Sequence, residues 1–430
     1  DSFKTRLVAS IENFDEQCDG LLIHSENYQA LNLLQERYRE QVKCVYIDPP
    51  YNTSEETFVY KNSYRHSSWM TMISERALST ARLSTKDGAL IATIDDEELY
   101  HLKEALSLAY GEPNYIGTIV VQSNPRGRGI NSHYATSHEY CLVYATNPDI
   151  IRIVDQPLTE EQTQGYGHGD GEQSYRLLPF RRSGGLSTPD ERPNSEFALY
   201  FSKTKKQIVG VGGERLKDYP AEYECDKVLF IDENGNLTSK AIDDVTANSD
   251  LVAILPVDSG SKRRVWRWSD RKKILEAASN GDFVVKESKG SFTVQLKDWI
   301  KEGRKPKTIW YDSKYDASSH GTNLLANILG DRRQFGYPKS LHSTHDAIHT
   351  IIGNDEGSFC LDYFGGSGTT GHAVIKLNRE DDGKRKYILV EMGDYFDTVL
   401  KPRIAKVVYS ESWKDGKPTA RHTGISHCFK

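Results

Sequence analysis

The sequence predicts an α/β protein built on a doubly wound sheet, with a second domain inserted into that sheet. Short runs of strand-forming residues alternate with helical stretches up to about residue 148, and the same pattern returns after about residue 334. Residues 42–47 and 358–364 are two of the strand-forming runs, and residues 97–110 carry leucines at helical spacing. This alternation predicts parallel strands connected by helices that cover both faces of the sheet.

The amino-acid composition of the chain changes in its middle third. Residues 149–333 are dominated by Gly, Ser, Pro and charged residues, and their apolar runs are short. We therefore expect a mixed α+β domain at 149–333, inserted between two halves of one α/β domain at 1–148 and 334–430. Domains of this size fold around their own cores.

Composition limits the classes of function. The 430 residues are 37% hydrophobic and 27% charged, and no apolar run approaches the roughly 20 residues of a membrane span. The first residues lack the apolar core of a signal peptide. Six scattered cysteines without a CxxC pair predict reduced thiols in a prokaryotic cytoplasm. His345 and His349 have helical spacing, but no nearby Glu or Cys completes a metal site, so we expect no metal.

The sharpest local signal is Asp-Pro-Pro-Tyr, which directly follows the strand-forming run at 42–47. This position predicts the carboxyl edge of the sheet, where open α/β folds bind ligands. Consecutive prolines lack N–H donors, so their carbonyls can only accept hydrogen bonds. A planar –NH2 group could donate to Asp48 and to the Pro49 carbonyl while its ring stacks on Tyr51; a proline-rich turn capped by Asp is the structural alternative. The predicted catalytic residues are Asp48, Pro49, Pro50 and Tyr51.

A glycine-rich segment at residues 362–370 follows the second strand-forming run. Glycines after a strand let the backbone approach a ligand, and the next helix offers free N–H groups to an anion. The segment lacks the lysine of a P-loop and departs from the dinucleotide fingerprint. Glu391 ends the next strand-forming run, where an acid commonly binds ribose hydroxyls. Alone, the segment is almost as compatible with a tight turn that binds no ligand.

Together and in this order, the two motifs resemble the β-group amino-methyltransferases, in which Asp-Pro-Pro-Tyr precedes a Phe-x-Gly-x-Gly cofactor loop. The resemblance covers about residues 21–396, and part of it points to the modification subunits of type III restriction systems. Pro338-Lys339-Ser340 resembles the family's Pro-Lys-Pro segment, with Ser340 in place of the second proline. Further matching segments lie at residues 22–27, 138–140, 182–185, 190–194 and 335–340.

The resemblance implies a Rossmann-like methyltransferase sheet, an inserted target recognition domain and S-adenosylmethionine as the cofactor. It also implies methylation of N6 of adenine in double-stranded DNA, because Ser in place of Asp48 would favour cytosine N4. The target base would have to leave the helical stack to reach Asp48. The residues implied in cofactor binding are Glu26, Lys339, Asp362, Phe364, Gly365, Gly366, Gly368, Thr369 and Glu391.

The middle segment interleaves tryptophans with cations at residues 262–273 and 301–307. Such cations would hold DNA phosphates, which position a protein without specifying sequence. A solvated basic face around a small core explains any single residue better, and the loop at 124–129 is equally compatible with a mobile loop. The predicted DNA contacts are Arg126, Arg128, Arg263, Arg264, Arg267, Lys305 and Lys307.

Other functions stay open on the sequence alone. One is methylation of cytosine N4 or of an amine in RNA. Another is a DNA-recognition subunit that recruits a nuclease or another defence partner, which would supply cleavage because the sequence has no Walker lysine loop. A nicotinamide-dependent oxidoreductase does not explain Asp-Pro-Pro-Tyr. The sequence also leaves open whether the chain forms a homodimer.

Overall fold

The chain divides into two compact units in a computed structural model. The first combines residues 1–156 with 304–430, and the second comprises residues 157–303. The expected insertion, 149–333, is longer because residues 309–310 add a strand to the sheet of the first unit. The structure describes residues 5–6, 9–10, 12–52, 65–127, 133–171, 173–212, 227–232, 234–288, 290–332, 335–420 and 428–429.

A nine-stranded sheet forms the centre of the first unit, with the order β6-β4-β5-β3-β2-β7-β8-β1-β9. All neighbouring strands run parallel except β5, which runs antiparallel to β3 and β4. The predicted α/β fold is confirmed, with this one strand reversed. The strands are β1 (Cys18–His24), β2 (Val42–Ile47), β3 (Ser84–Ile94), β4 (Tyr115–Val121), β5 (Glu139–Ala145), β6 (Ile309–Trp310), β7 (Phe359–Asp362), β8 (Lys386–Glu391) and β9 (Cys428–Phe429).

Helices contribute to a separate hydrophobic core on each face of this sheet. Side chains of β2 alternate between the two cores: Cys44 and Tyr46 join one, and Val45 and Ile47 join the other. This double burial explains why β2 is an almost continuous apolar run. Helices α1 to α3 join the core of Val45, and α4 to α7 join the core of Cys44. The helices are α1 (Asn27–Tyr38), α2 (His66–Leu83), α3 (Leu99–Tyr110), α4 (Leu324–Leu329), α5 (Leu341–Ile352), α6 (Thr369–Asp381) and α7 (Lys401–Tyr409).

The strand order brings the two sequence motifs together. β2 pairs with β7, where Val45 lies opposite Leu361, and β7 pairs with β8. Because these three strands are parallel, their carboxyl ends lie at the same edge of the sheet. Asp48, Asp362 and Glu391 therefore all lie at the edge where the α/β fold predicts a ligand.

The second unit contains two antiparallel sheets and the helix Arg271–Ser279. Its core includes Phe180, Trp266 and Ile274. The five-stranded sheet has the order Leu237–Ala241, Lys227–Ile231, Gln207–Gly212, Leu199–Ser202 and Leu251–Ile254. The four-stranded sheet has the order Phe283–Ser288, Ser291–Trp299, Gln173–Pro179 and His168–Asp170. Among the described residues of both units, no helix is long and apolar enough to span a membrane.

The close approach of Gly321 to the segment before α5 predicts a specific loss of stability. A Cβ at Gly321 would lie 2.3 Å from the carbonyl oxygen of Pro338 and 3.0 Å from that of Lys339. We expect Gly321→Ala to lower the free energy of unfolding by about 1–3 kcal/mol, because backbone must move to admit the methyl group. Urea unfolding measures the loss. Gly336→Ala is the matched control, since its Cβ would meet nothing within 4 Å; equal stabilities of the two variants would contradict the prediction.

Candidate active site

The Asp-Pro-Pro-Tyr turn leaves the carboxyl end of β2 and is fixed by two buried side chains. Trp69 of α2 donates from Nε1 to the carbonyl oxygen of Pro50 at 2.8 Å. Asn52 follows the turn with a φ of 57°, a left-handed conformation that Asn tolerates better than most residues. Its Nδ2 donates to Oε1 of buried Glu98 at 2.6 Å. The turn is thus held at both Pro50 and Asn52.

Glu98 is shared by Asn52 and two histidines. Nδ1 of His66 lies 2.9 Å from Oε1, and Nδ1 of His101 lies 2.7 Å from Oε2. The two rings stack with centroids 4.5 Å apart and an interplanar angle of 24°. The three side chains are of the types that bind transition metals. Both Nδ1 atoms and the amide of Asn52 lie within hydrogen-bond distance of the Glu98 carboxylate. We therefore interpret Glu98 as a shared hydrogen-bond partner that holds Asn52 in place.

Asp48 is the centre of a charged cluster at the edge of the sheet. Thr93, near the end of β3, donates to its Oδ1 at 2.5 Å, and the Nζ of Lys339 lies 3.2 Å from the same oxygen. Lys339 also contacts Glu139 at 2.5 Å and donates to the hydroxyl of Tyr51. That hydroxyl donates to Glu139 at 3.0 Å. The ammonium lies 4.5 Å from the centroid of the Tyr51 ring, within cation–π range.

The cluster keeps one cation between two acids. Burial raises the pKa of Asp48, and the charge of Lys339 acts against this increase. Burial alone would lower the pKa of Lys339, but the carboxylates of Asp48 and Glu139 raise it well above its usual range. Burial also raises the pKa of Tyr51 far above its usual value, so this phenol stays neutral. Lys339 is therefore a permanent ammonium at neutral pH.

The glycine-rich segment forms a loop between β7 and α6. Gly366 and Gly368 have φ values of 51° and 80°, which favour glycine. The backbone N–H of Phe364 donates to Oδ1 of Asp362 at 2.9 Å, and the hydroxyl of Thr370 donates to Oδ2 at 2.5 Å. Asp362 thus holds both the entry to the loop and the first turn of α6.

The two acids at the neighbouring strand ends are also held in place. Oε2 of Glu391 accepts from the N–H of Gly366 at 2.8 Å, which ties the end of β8 to the glycine loop. Glu26 caps α1 by accepting from the N–H of Gln29 at 3.0 Å, and Arg76 donates to it at 2.5 Å. Because β1 pairs with β8, the two acids leave adjacent strands.

The structure therefore brings the predicted catalytic turn, the glycine loop and both acids to one edge of the sheet. A sequence comparison agrees with this arrangement. The model of the DNA methylase family matches residues 42–175 and 180–401, which contain both motifs and most of the segment between them. The chain belongs to the DNA methylase family.

Curated relatives of this DNA methylase include restriction-modification proteins. The EcoPI Mod subunit, from a type III restriction-modification enzyme of Escherichia phage P1, is 27% identical over 88% of the chain and 58% of the relative. The type II methyltransferase M.KpnI of Klebsiella pneumoniae is 29% identical over 85% of the chain and 79% of the relative. The predicted resemblance to type III modification subunits is confirmed, although the chain spans only about half to three fifths of the type III relatives' length.

The M1.HpyAVI–SAM complex is one of the solved structures to which the methylase is similar. It has 12% sequence identity and a TM-score of 0.36, and the match covers 90% of this chain and 98% of that chain. Likeness at this level adds nothing to the family assignment.

The donor set at the sheet edge fits S-adenosylmethionine, the cofactor of this family. The start of α6 presents backbone N–H groups, which suit a carboxylate. Glu26 and Glu391 provide acceptors for an ammonium group and for hydroxyls. Phe364 is buried beside the loop. The loop residues Gly365, Gly366, Gly368 and Thr369 would hold the amino-acid end. Lys339, which the resemblance implied in cofactor binding, instead contacts Asp48, Glu139 and Tyr51.

The predicted DNA contacts of the methylase fall into different environments. Arg263 makes two hydrogen bonds of 2.6 Å to Glu196, whose side chain is buried. Arg264 pairs with Asp258 at 2.9 Å, and Arg267 donates to the carbonyl of Pro179. These bonds tie the three arginines to neighbouring residues of the second unit, and their contact with DNA stays a prediction. Arg126, Lys305 and Lys307 are exposed and lie in the first unit, and Arg128 lies outside the described residues.

Three residues of the site were not singled out from the sequence. Thr93 and Glu98 lie near and just after the end of β3, in a run that carries several acids. Glu139 belongs to a His-Glu-Tyr segment that resembled the family, yet its contact with Lys339 spans distant parts of the chain. An acid at the start of a strand-forming run was the available signal for Glu139, but it did not identify the partner.

Asp362 predicts a pH-dependent stability. Burial raises its pKa to about 7 from a usual value of 3.8, although Thr370 and Phe364 donate hydrogen bonds to it. The folded protein therefore binds this proton more tightly than the unfolded chain does, and the free energy of unfolding falls as pH rises between these values. We expect Asp362→Asn to lose this slope, up to about 1.4 kcal/mol per pH unit, in urea unfolding at pH 4–8.

Asp87→Asn is a control at an aspartate whose pKa is shifted in the opposite direction. A hydrogen bond from Lys43 lowers the pKa of Asp87, so its contribution is present above the usual pKa of an aspartate and is lost as pH falls. Identical pH profiles for Asp362→Asn and the wild-type protein would contradict the assignment of a raised pKa to Asp362.

Proposed function

We propose that this DNA methylase transfers the methyl group of S-adenosylmethionine to N6 of an adenine flipped out of double-stranded DNA. The observation that carries the proposal is the placement of Asp48 and the Tyr51 ring around the ammonium of Lys339, one strand away from the glycine loop that follows β7. The carboxylate of Asp48, the aromatic ring of Tyr51 and the glycine loop therefore lie at the same edge of the sheet. We propose N6 of adenine over N4 of cytosine because the first motif residue is Asp.

The catalytic turn supplies orientation and hydrogen-bond acceptors. S-adenosylmethionine, when bound, provides an electrophilic methyl group on a sulfonium. An aromatic amine attacks it poorly because the nitrogen lone pair is delocalised into the ring. Asp48 and the carbonyl of Pro49 would accept the two amine hydrogens and favour a pyramidal nitrogen, while Tyr51 stacks on the base. The raised pKa of Asp48 suits it to take the proton that leaves the methylated nitrogen.

Lys339 balances the charge of the site before the base enters. Its ammonium contacts Asp48 and lies over the ring of Tyr51, which are the two groups that the amine needs. An amine that binds Oδ1 of Asp48 would displace Lys339 from that oxygen. Its contact with Glu139 is the shorter of the two, 2.5 Å against 3.2 Å, so Glu139 can hold the ammonium during catalysis.

We assign target recognition to the inserted unit and propose a role in a prokaryotic restriction-modification system. Its placement between the two motifs and its aromatic and cationic composition support the first assignment. The names of the relatives support the second: EcoPI Mod is a subunit of a restriction-modification enzyme. On this proposal the chain acts at the nucleoid, as a homodimer or with a restriction subunit that supplies cleavage.

Methylation of unmodified DNA tests the proposed reaction. The protein is incubated with tritiated S-adenosylmethionine and bacterial DNA that lacks methylation, and the labelled base is identified. We expect label in N6-methyladenine and a loss of at least about 100-fold in rate with Asp48→Asn, because the carboxylate acceptor is removed. Asp382→Asn is the control, since this exposed Asp has a φ of 56° that Asn tolerates. Label in N4-methylcytosine would contradict the base assignment. Label in a parallel RNA sample, with none in the DNA, would contradict the substrate.

Lys339→Met tests the charge balance. Removing the ammonium leaves the half-buried Asp48 near Glu139 without a cation, which raises the pKa of Asp48 further. Since Asp48 must be ionised to accept the amine hydrogens, the acid limb of the pH–rate profile should move to higher pH by at least about one unit. Single-turnover rates at pH 5.5–9 measure the shift. Lys339→Arg keeps the charge and should move the limb less; an unchanged profile in Lys339→Met would contradict this role.

A further inference from the structure

Arg403 is a buried cation beneath the glycine loop, and we propose that it is a positioning residue for the carboxylate end of the cofactor. It belongs to α7, and none of its surface is exposed. The inference rests on the proposed function, because it assumes that the loop holds S-adenosylmethionine. It assigns a role to a residue that lies outside both sequence motifs.

The guanidinium of Arg403 fixes the part of the loop that faces α7. Its Nη1 donates to Oγ of Ser367 at 2.8 Å, to the carbonyl of Ser367 at 3.3 Å and to Oγ1 of Thr369 at 2.8 Å. Ser367 lies between the two glycines with positive φ, and Thr369 begins α6. Arg403 therefore sets both the path of the loop and the first residue of the helix.

The charge of Arg403 has no acid beside it. Among the described residues, no carboxylate lies within 4.0 Å of this guanidinium, and its Nε has no hydrogen-bond partner. Burial lowers the pKa of Arg403 only to about 9, so it stays charged at neutral pH. His372 lies 3.4 Å from Nη2, but burial and nearby cations lower its pKa far below the usual value, so it is neutral.

Arg385 is a second buried arginine and, unlike Arg403, it is paired with a carboxylate. It is equally buried, and its Nη1 and Nη2 pair with Asp381 at 2.9 and 2.7 Å, while Nε and Nη2 also donate to backbone carbonyls. A buried charge costs free energy unless an opposite charge compensates for it. Arg403 has neutral partners only, so an anionic group that binds at the loop would compensate its charge.

The chemistry of the cofactor identifies that group. S-adenosylmethionine carries one anionic group, the carboxylate of its methionine portion, whereas its sulfonium and ammonium groups are cationic. The 13-residue helix α6 begins at the loop, and its N-terminal N–H groups also favour an anion. The charge of Arg403 and the start of α6 therefore favour the same end of the ligand, and Arg403 acts through Ser367 and Thr369.

Two ligands distinguish this role from general support of the fold. S-adenosylhomocysteine contains the amino-acid portion with its carboxylate, and 5′-methylthioadenosine lacks that portion. Their dissociation constants are measured by calorimetry for the wild-type protein, Arg403→Gln, Arg403→Lys and Arg385→Gln. Binding of S-adenosylhomocysteine to the wild-type protein tests the proposed function separately, since its failure would remove the cofactor site itself.

We expect Arg403→Gln to weaken S-adenosylhomocysteine binding about tenfold, because a charge-assisted network is lost, and to leave 5′-methylthioadenosine within about twofold. Arg403→Lys should fall between, and Arg385→Gln should affect neither ligand. Equal weakening of both ligands in Arg403→Gln, or no weakening of either, would overturn the proposal. If Arg403→Gln does not fold, Arg403→Lys decides the question by the same ratio of the two affinities.

Discussion

The parallel pairing of β2 with β7 is the constraint on which the site depends. The two strands come from opposite ends of the sequence, with the whole inserted unit between them, yet Val45 and Leu361 lie side by side in the sheet. Asp48 of the catalytic turn directly follows β2, and Asp362 of the glycine-rich segment ends β7. The edge of a parallel sheet thereby turns two motifs that are remote in sequence into one site. The double burial of β2 between two cores keeps this register fixed, because a slip by one residue would exchange the two faces.

The first unit balances buried charge in two different ways. At the catalytic turn, Lys339 lies between Asp48 and Glu139, so removal of Lys339 leaves two acids without a cation. Beneath the glycine loop, Arg403 has only hydroxyl, carbonyl and imidazole partners. In the first arrangement, the protein itself supplies the opposite charges. In the second, we propose that a bound anion compensates the charge of Arg403. Both therefore link the binding of a ligand to the release or compensation of charge.

The sequence was sufficient for the elements whose chemistry is local. The turn at Asp48 and the loop after Asp362 follow strand-forming runs directly, so their position at the sheet edge could be predicted. The partners of these motifs could not, because Lys339 and Glu139 meet Asp48 through contacts between distant segments. The end of the insertion was also misplaced. The two-residue strand Ile309–Trp310 is too short to show a period, and only its pairing with β4 assigns it to the first unit.

Composition was least informative for DNA contacts, since it counts arginines without their partners. Arg263 and Arg264 belong to the most basic stretch of the sequence, yet each is paired with an acid that lies elsewhere in that unit or a few residues away. An arginine whose fork already binds a carboxylate, as Arg263 binds Glu196, has its charge compensated, so its contact with a phosphate comes at the cost of a weaker ion pair. Exposed cations such as Lys305 and Lys307 pay no such cost. The distinction between structural and nucleic-acid-binding cations therefore depends on the acids around them and not on the local density of positive charge.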